Sequence, residues 1–251
     1  MNNQVAEYLI RLADDRLILG HRLSEWCGNG PILEEDIALA NISLDCIGQA
    51  NFLYGIAAVE EGKSRTPDEI VYFRDAVEYK NLLLLEQPNG DFAHTIVRQF
   101  LYDAYGVLLF HELQKSSFTP LAGVAQKAVK ELRYHVRHSG QWMIRLGDGT
   151  EESHHRMQSA LDHLWKYTDE MFITDELEND LAAKGIAVRS STLKDQWMMT
   201  VQGVVVSATL RLPGSSPMIF KGGREGKHTE HLGHVLSEMQ IVARSYPDIT
   251  W

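Results

Sequence analysis

From Ile37 to Val59 the chain carries a single charged side chain, Asp45. A run so long and apolar has few ways to fold: it spans a bilayer, or it is a helix enclosed by the rest of a protein. Asn41, Ser43, Gln49 and Asn51 interrupt the run and acidic residues flank it, which disfavours the membrane. The sequence therefore predicts a helix over about 33–61, buried nearly all round, at the centre of a larger helical protein. A lone carboxylate in such a place is costly unless it is paired, hydrogen-bonded or metal-bound.

The rest of the chain fits that setting. All seven prolines (Pro31, Pro67, Pro88, Pro120, Pro213, Pro217 and Pro247) fall between stretches of helical periodicity, where they remove no interior helix bond. Strand-like alternation is absent. Even Val204-Val205-Val206 lies inside a helical pattern that begins near Ser191. Core helices are predicted at about 4–26, 33–61, 91–115 and 120–146, with a shorter one at about 68–85. Accessory helices over about 152–245 follow, at about 152–172, 175–184, 191–209 and 229–245. Pro213 to Lys227 is the one long irregular segment. With neither repeat nor linker visible, residues 1–251 read as a single all-α domain, a four-helix bundle with additional C-terminal helices.

Each core helix carries one acid on its apolar face. Asp15 falls on the stripe Val5, Leu9, Leu12, Leu19 and Trp26. Asp103 is the only charge between Arg98 and His111. Glu131 and His135 share a face with Leu121, Val124, Ala128, Leu132, Trp142 and Leu146. One carboxylate per helix is the pattern of ferritin-like di-metal proteins, in which two helices supply Glu and two supply Glu-x-x-His. The positions three residues after Asp45 and Glu131 are Gly48 and Tyr134, so both histidines are missing. His135 lies within reach of the same face and could restore one ligand but not both. The sequence leaves open whether these acids are unrelated, paired with Arg16, Arg98, Arg133 or Lys130, or the outline of a former metal site. A self-sufficient di-metal oxidase or metal-binding protein using Asp15, Asp45, Asp103, Glu131 and His135 is the alternative, and a helical binding module is a third.

The formal net charge of −10 opposes non-specific nucleic-acid binding, which needs a basic face. Cys27 and Cys46 lack the spacing of a metal or redox pair, and the N-terminus lacks a signal-like apolar region, so a cytoplasmic location is expected. No Ser-His-Asp or Cys-His arrangement stands out, and no catalytic residue is assigned. His231, His234 and Glu238 share a helix face at a spacing that can bind metal, but polar helix starts at packing contacts look the same. Lys221, Arg224 and Lys227, interleaved with glycines before a helix, do not match a nucleotide-binding loop. With His228, Glu230 and His231 they read as a loop ordered by a partner or an anionic ligand.

The chain resembles the C-type subunits of the bacterial ring 1,2-phenylacetyl-CoA epoxidases. The matching passages are Arg22-Leu23-Ser24-Glu25-Trp26-Cys27-Gly28, Asp36 to Ile42, Leu44-Asp45 to Gly48-Gln49-Ala50, and Asn81 to Leu84 with Glu86-Gln87-Pro88-Asn89-Gly90. Others are Lys130-Glu131 with Arg133-Tyr134-His135, and Gly222-Gly223 to His228-Thr229-Glu230-His231-Leu232-Gly233, then Glu238-Met239-Gln240. The resemblance spans almost the whole chain in order, and the missing histidines fit that family's pattern. It implies a ferritin-like, non-catalytic structural subunit that holds no cofactor or metal of its own. It further implies pairing with a homologous A-type subunit, which carries the di-iron site and epoxidises the ring, and electrons from an NADPH-dependent reductase. Self-association is also open, and the Lys221–Lys227 loop becomes a candidate for touching the partner or the CoA end of the substrate.

Overall fold

A computed structural model describes residues 3–214 and 220–247. Among these residues there is no strand, and the fold is all-α. The part of the irregular segment at 215–219, with Pro217, lies outside the described residues. The chain forms two compact units: residues 1–88 with 222–251, and residues 89–221. Each contains one of the two long helical hairpins expected of a ferritin-like bundle.

The first unit is built on α1 (Asn3–Ser24) and α2 (Leu33–Glu61). They run antiparallel, as the Ser43 hydroxyl donating to the Gly20 carbonyl (2.7 Å) and the Tyr54 hydroxyl donating to Asp14 show. α1 is the enclosed helix: Leu9, Leu12, Ile18, Leu19 and Leu23 are buried together with Arg11, Asp14, Asp15, Arg16 and Arg22. α2 departs from the sequence expectation of burial all round. Leu39, Ile42, Cys46, Ala50, Leu53 and Ala57 form its buried line, while Ile37, Leu44 and Val59 on the opposite arc are 53%, 66% and 75% exposed. Apolar composition predicts a covered helix, but among the described residues its own unit covers one face only.

The predicted helix at 68–85 is instead three short pieces: α3 (Pro67–Tyr72), a 3-10 turn at Ala76–Glu78, and α4 (Leu83–Glu86). Pro67 opens α3, with Thr66 and Glu69 forming a reciprocal cap. The non-helical stretch 79–82, between the 3-10 turn and α4, is tied to α1. The N–H groups of Lys80 and Leu82 donate to the carboxylates of Asp14 and Asp15 (2.7 and 2.9 Å), so they are not available to helix carbonyls.

The second unit pairs α5 (Phe92–Leu113) with α6 (Thr119–Gly147). The buried line of α6, Leu121, Ala125, Ala128, Leu132, His135, Ser139 and Met143, keeps strict three- and four-residue spacing. α7 (Glu151–Leu164) and α9 (Lys194–Ser207) cover the pair, and α8 (Glu176–Ala183) lies between them in sequence. The predicted helices at 152–172 and 191–209 each include a 3-10 portion, at Trp165–Phe172 and Ser190–Leu193. Trp197 is the anchor of α9: it stacks near Trp165 and Phe172, and its indole N–H donates to the Leu101 carbonyl (2.9 Å). The C-terminal helix α10 (Glu230–Ser245) returns to the first unit, where buried Gln240 donates to the carbonyls of Val71 and Arg74.

The α1–α2 crossing rests on Gly20. A Cβ there would stand 2.8 Å from Ile47 Cγ1 and 3.2 Å from the Ser43 carbonyl oxygen. Gly20→Ala is expected to lower unfolding free energy by about 1–3 kcal/mol through overpacking, measurable by urea denaturation. An unchanged midpoint would show that the helices can separate without penalty.

Candidate functional site

Two adjacent acids near the middle of α1 organise the first unit. Neighbouring residues on a helix point in different directions, so Asp14 and Asp15 engage different segments. Asp14 accepts from both terminal nitrogens of Arg74, from the Tyr54 hydroxyl and from the Lys80 backbone N–H. Arg74 itself lies over the Tyr79 ring, 4.1 Å from its centroid, and donates to the Ile70 and Glu78 carbonyls. Asp15 receives Arg224 in bidentate fashion, one guanidinium N–H to each oxygen at 3.0 and 2.8 Å, plus the Leu82 N–H. Burial raises the Asp15 carboxyl above its ordinary range, while Arg224, the Leu82 N–H and Arg16 pull it back. Burial likewise pushes the Tyr54 phenol up, reinforced by the Asp14 charge.

A third buried acid completes the set. Glu86 accepts from the Thr229 N–H and hydroxyl on one oxygen (2.6 and 2.8 Å), and from Asn81 on the other (2.9 Å). His228 lies against that second oxygen at 2.8 Å. The Glu86 backbone carbonyl accepts from Arg22, which also reaches the His231 carbonyl. The glycines make this approach possible: Gly226 has φ 77°, and a Cβ on it would fall 2.0 Å from the Val77 carbonyl oxygen. Of the residues expected to form a partner or CoA contact loop, Arg224 and His228 thus turn into the first unit. Lys221, Lys227 and Glu230 are exposed, and His231 is half-buried. Lys227 pairs with Glu225 on the surface.

The sequence-predicted acids do not all share one environment. Asp15 and Asp103 are fully buried, whereas Asp45 and Glu131 are only partly so. Asp103 accepts from Gln99 (2.7 Å) and lies 3.0 Å from the Ser139 hydroxyl across the α5–α6 pair. Glu131 sits at the edge of α6, 3.9 Å from Lys127, rather than on the buried line with His135. Tyr134 is 41% exposed, and nothing lies within 4 Å of where a Gly48 side chain would begin. Among the described residues, no group of three or more His, Cys, Asp or Glu is placed to hold a metal ion, the His231–His234–Glu238 face included. Of the expected bases, Arg16 contributes its charge to Asp15, whose bidentate partner is Arg224, far along the chain, and Arg98 donates to the Asn89 side chain.

Sequence reasoning missed Asp14, Arg74 and the role of Glu86. The signal for Asp14 was present, since Ile10, Leu12, Ala13, Leu17 and Ile18 surround it and leave no solvent-facing side for the pair. Replacing Arg224 with Ala would leave a fully buried carboxylate without its guanidinium. Stability is expected to fall by roughly 3 kcal/mol, and an Asp15→Asn/Arg224→Ala double-mutant cycle should give coupling above about 1 kcal/mol. Additive single effects would mean the pair holds nothing together.

The sequence of this chain matches the phenylacetic acid catabolic protein family over residues 1–251. It is also 46% identical over 251 residues to the C-type subunit of the 1,2-phenylacetyl-CoA epoxidase of Escherichia coli (strain K12), covering 99% of this chain and 100% of that protein. With a full-length family match and full-length identity at this level, the chain belongs to the phenylacetic acid catabolic protein family.

Proposed function

We propose that this chain is a non-catalytic structural subunit of a multicomponent phenylacetyl-CoA ring 1,2-epoxidase in aerobic phenylacetate catabolism. In this reading it works in the cytoplasm beside a homologous A-type subunit that holds the di-iron centre, and an NADPH-dependent reductase supplies the electrons. This chain binds no metal or cofactor itself. The subunit designation of its Escherichia coli relative supports a multisubunit assembly.

The observation that carries the pairing is the exposed arc of α2. Leu33, Ile37, Leu44 and Val59 lie along it, and open space surrounds Gly48 and Gly55 on the same side. α2 is long and apolar enough to cross a membrane, with 44% of its most apolar window buried. Leaving such a stripe in water is unfavourable by about 1.5–3 kcal/mol per large side chain. Another apolar helix face would cover it, and glycines would let that helix approach closely.

The non-catalytic part of the reading is supported by the donors already on the acids. Both Asp15 oxygens are held by Arg224 and the Leu82 N–H, and Gly48 offers no ligand where a di-metal site needs histidine. These residues do not fit a carboxylate-bridged di-metal centre.

Co-expression with an A-type homologue, followed by sizing chromatography, is expected to yield a hetero-oligomer. Leu44→Glu with Val59→Glu should abolish co-elution while leaving the melting temperature of the isolated chain within experimental scatter. A chain that stays alone beside its homologue, or a complex indifferent to both charges, would overturn the assignment of this face.

A further inference from the structure

The His228 imidazole is held between two oxygen atoms, one at each ring nitrogen. Its side chain is 5% exposed. Nδ1 stands 2.8 Å from Glu86 Oε2, and Nε2 stands 2.9 Å from the Tyr79 backbone carbonyl oxygen. A carbonyl oxygen can only accept, so Nε2 must carry a proton. The state of Nδ1 then depends on the role of Glu86 Oε2. Three further donors converge on that carboxylate, namely the Thr229 N–H, the Thr229 hydroxyl and the Asn81 amide, so its oxygens act as acceptors in those contacts. With Oε2 accepting from the ring as well, Nδ1 donates. Both ring nitrogens donate in the imidazolium alone.

We propose that His228 is held as an imidazolium in the folded chain, and that its protons latch the 222–229 segment onto Glu86 of α4 and the Tyr79 carbonyl. The latch sits where the segment is most committed. Four residues earlier Arg224 closes on Asp15, and two residues earlier Gly226 packs against the Val77 carbonyl. Immediately after it, Thr229 binds the other Glu86 oxygen and begins α10. The charged groups around the ring come from every side of this arrangement. Glu86 lies on α4 and Asp14 on α1, Arg22 of α1 donates to the Glu86 carbonyl, and the Tyr79 phenol donates to the Val71 carbonyl. On its own segment, Lys227 is satisfied by Glu225 and Arg224 by Asp15.

The electrostatics agree with the geometry. Burial pulls the imidazole down, but the Glu86 hydrogen bond and charge, the Tyr79 carbonyl and the Asp14 charge outweigh it, and His228 lies above the ordinary 6.5. A folded-state value above the unfolded one makes the contribution to stability complete below 6.5. It is lost as pH rises through the folded-state value. The latch therefore opens on the alkaline side.

The test uses the full chain without a partner, so it stands apart from the subunit assignment. In isotope-labelled protein the His228 ring nitrogens, assigned by their absence in His228→Gln, are expected to show two protons at pH near 6.5 and to titrate above it. Intrinsic-rate-corrected amide protection across 222–229 should fall about tenfold through the same midpoint. Glu86→Gln should bring that midpoint down, and His228→Gln should remove the pH dependence. A singly protonated ring in the wild type near pH 6.5 overturns the proposal, whether or not either variant folds. Protection that stays constant while the ring titrates overturns the latch.

Discussion

The first unit depends on placing two carboxylates side by side in the enclosed helix α1. Burying one ionised acid without compensation carries a penalty of several kcal/mol, and Asp14 and Asp15 face separate directions. Each must be met by its own base. Arg74 comes from the segment after α2, and Arg224 comes from the far end of the chain. The carboxylates take backbone donors too, from Lys80 and Leu82, within the stretch 79–82 where the chain leaves the helical path. The result is a unit assembled from both ends of the sequence, in which α10 and the 222–229 segment complete the surroundings of α1. Hydrophobic burial drives the packing of Leu9, Leu19, Leu53 and Leu84, but the ion pairs determine which segments can take part.

That arrangement bears on function by what it uses up and what it leaves over. The acids of α1 spend their oxygen lone pairs on arginines and backbone N–H groups, the chemistry of a clamp. α2, by contrast, has apolar side chains in excess of what its own unit covers. The acids are occupied within the chain while an apolar helix face stays exposed, the combination on which the proposed pairing rests. In the proposed function, that face is where a homologous subunit would dock.

Much of the fold was legible in the sequence, for local reasons. The boundaries of α2, α5, α6 and α10 follow from periodicity interrupted by proline and glycine, and they fall within a residue or two of expectation. The non-helical stretch at 79–82 was illegible because its bonds are long-range: no local property of Lys80 or Leu82 announces that a carboxylate on α1 will take its N–H. The same holds for Asp15, whose neighbours in sequence suggested Arg16, while the bidentate partner is Arg224. The exposure of Leu44 and Val59 was hidden for a different reason. Hydrophobic patterning states that a surface should be covered, without stating by which chain. Spacing alone puts Glu131 inward, but it stands roughly a quarter turn from the buried line of α6, at the edge.

The central claim is that the inward acids of this chain hold bases and hydrogen-bond donors, with metal chemistry residing in a partner. Iron content decides it most directly. The full chain, produced with iron supplied and purified without chelators, is predicted to carry well under one equivalent, with no change on Glu131→Ala. Stoichiometric iron that is lost in Glu131→Ala would contradict the account and restore the chain as a metal protein in its own right.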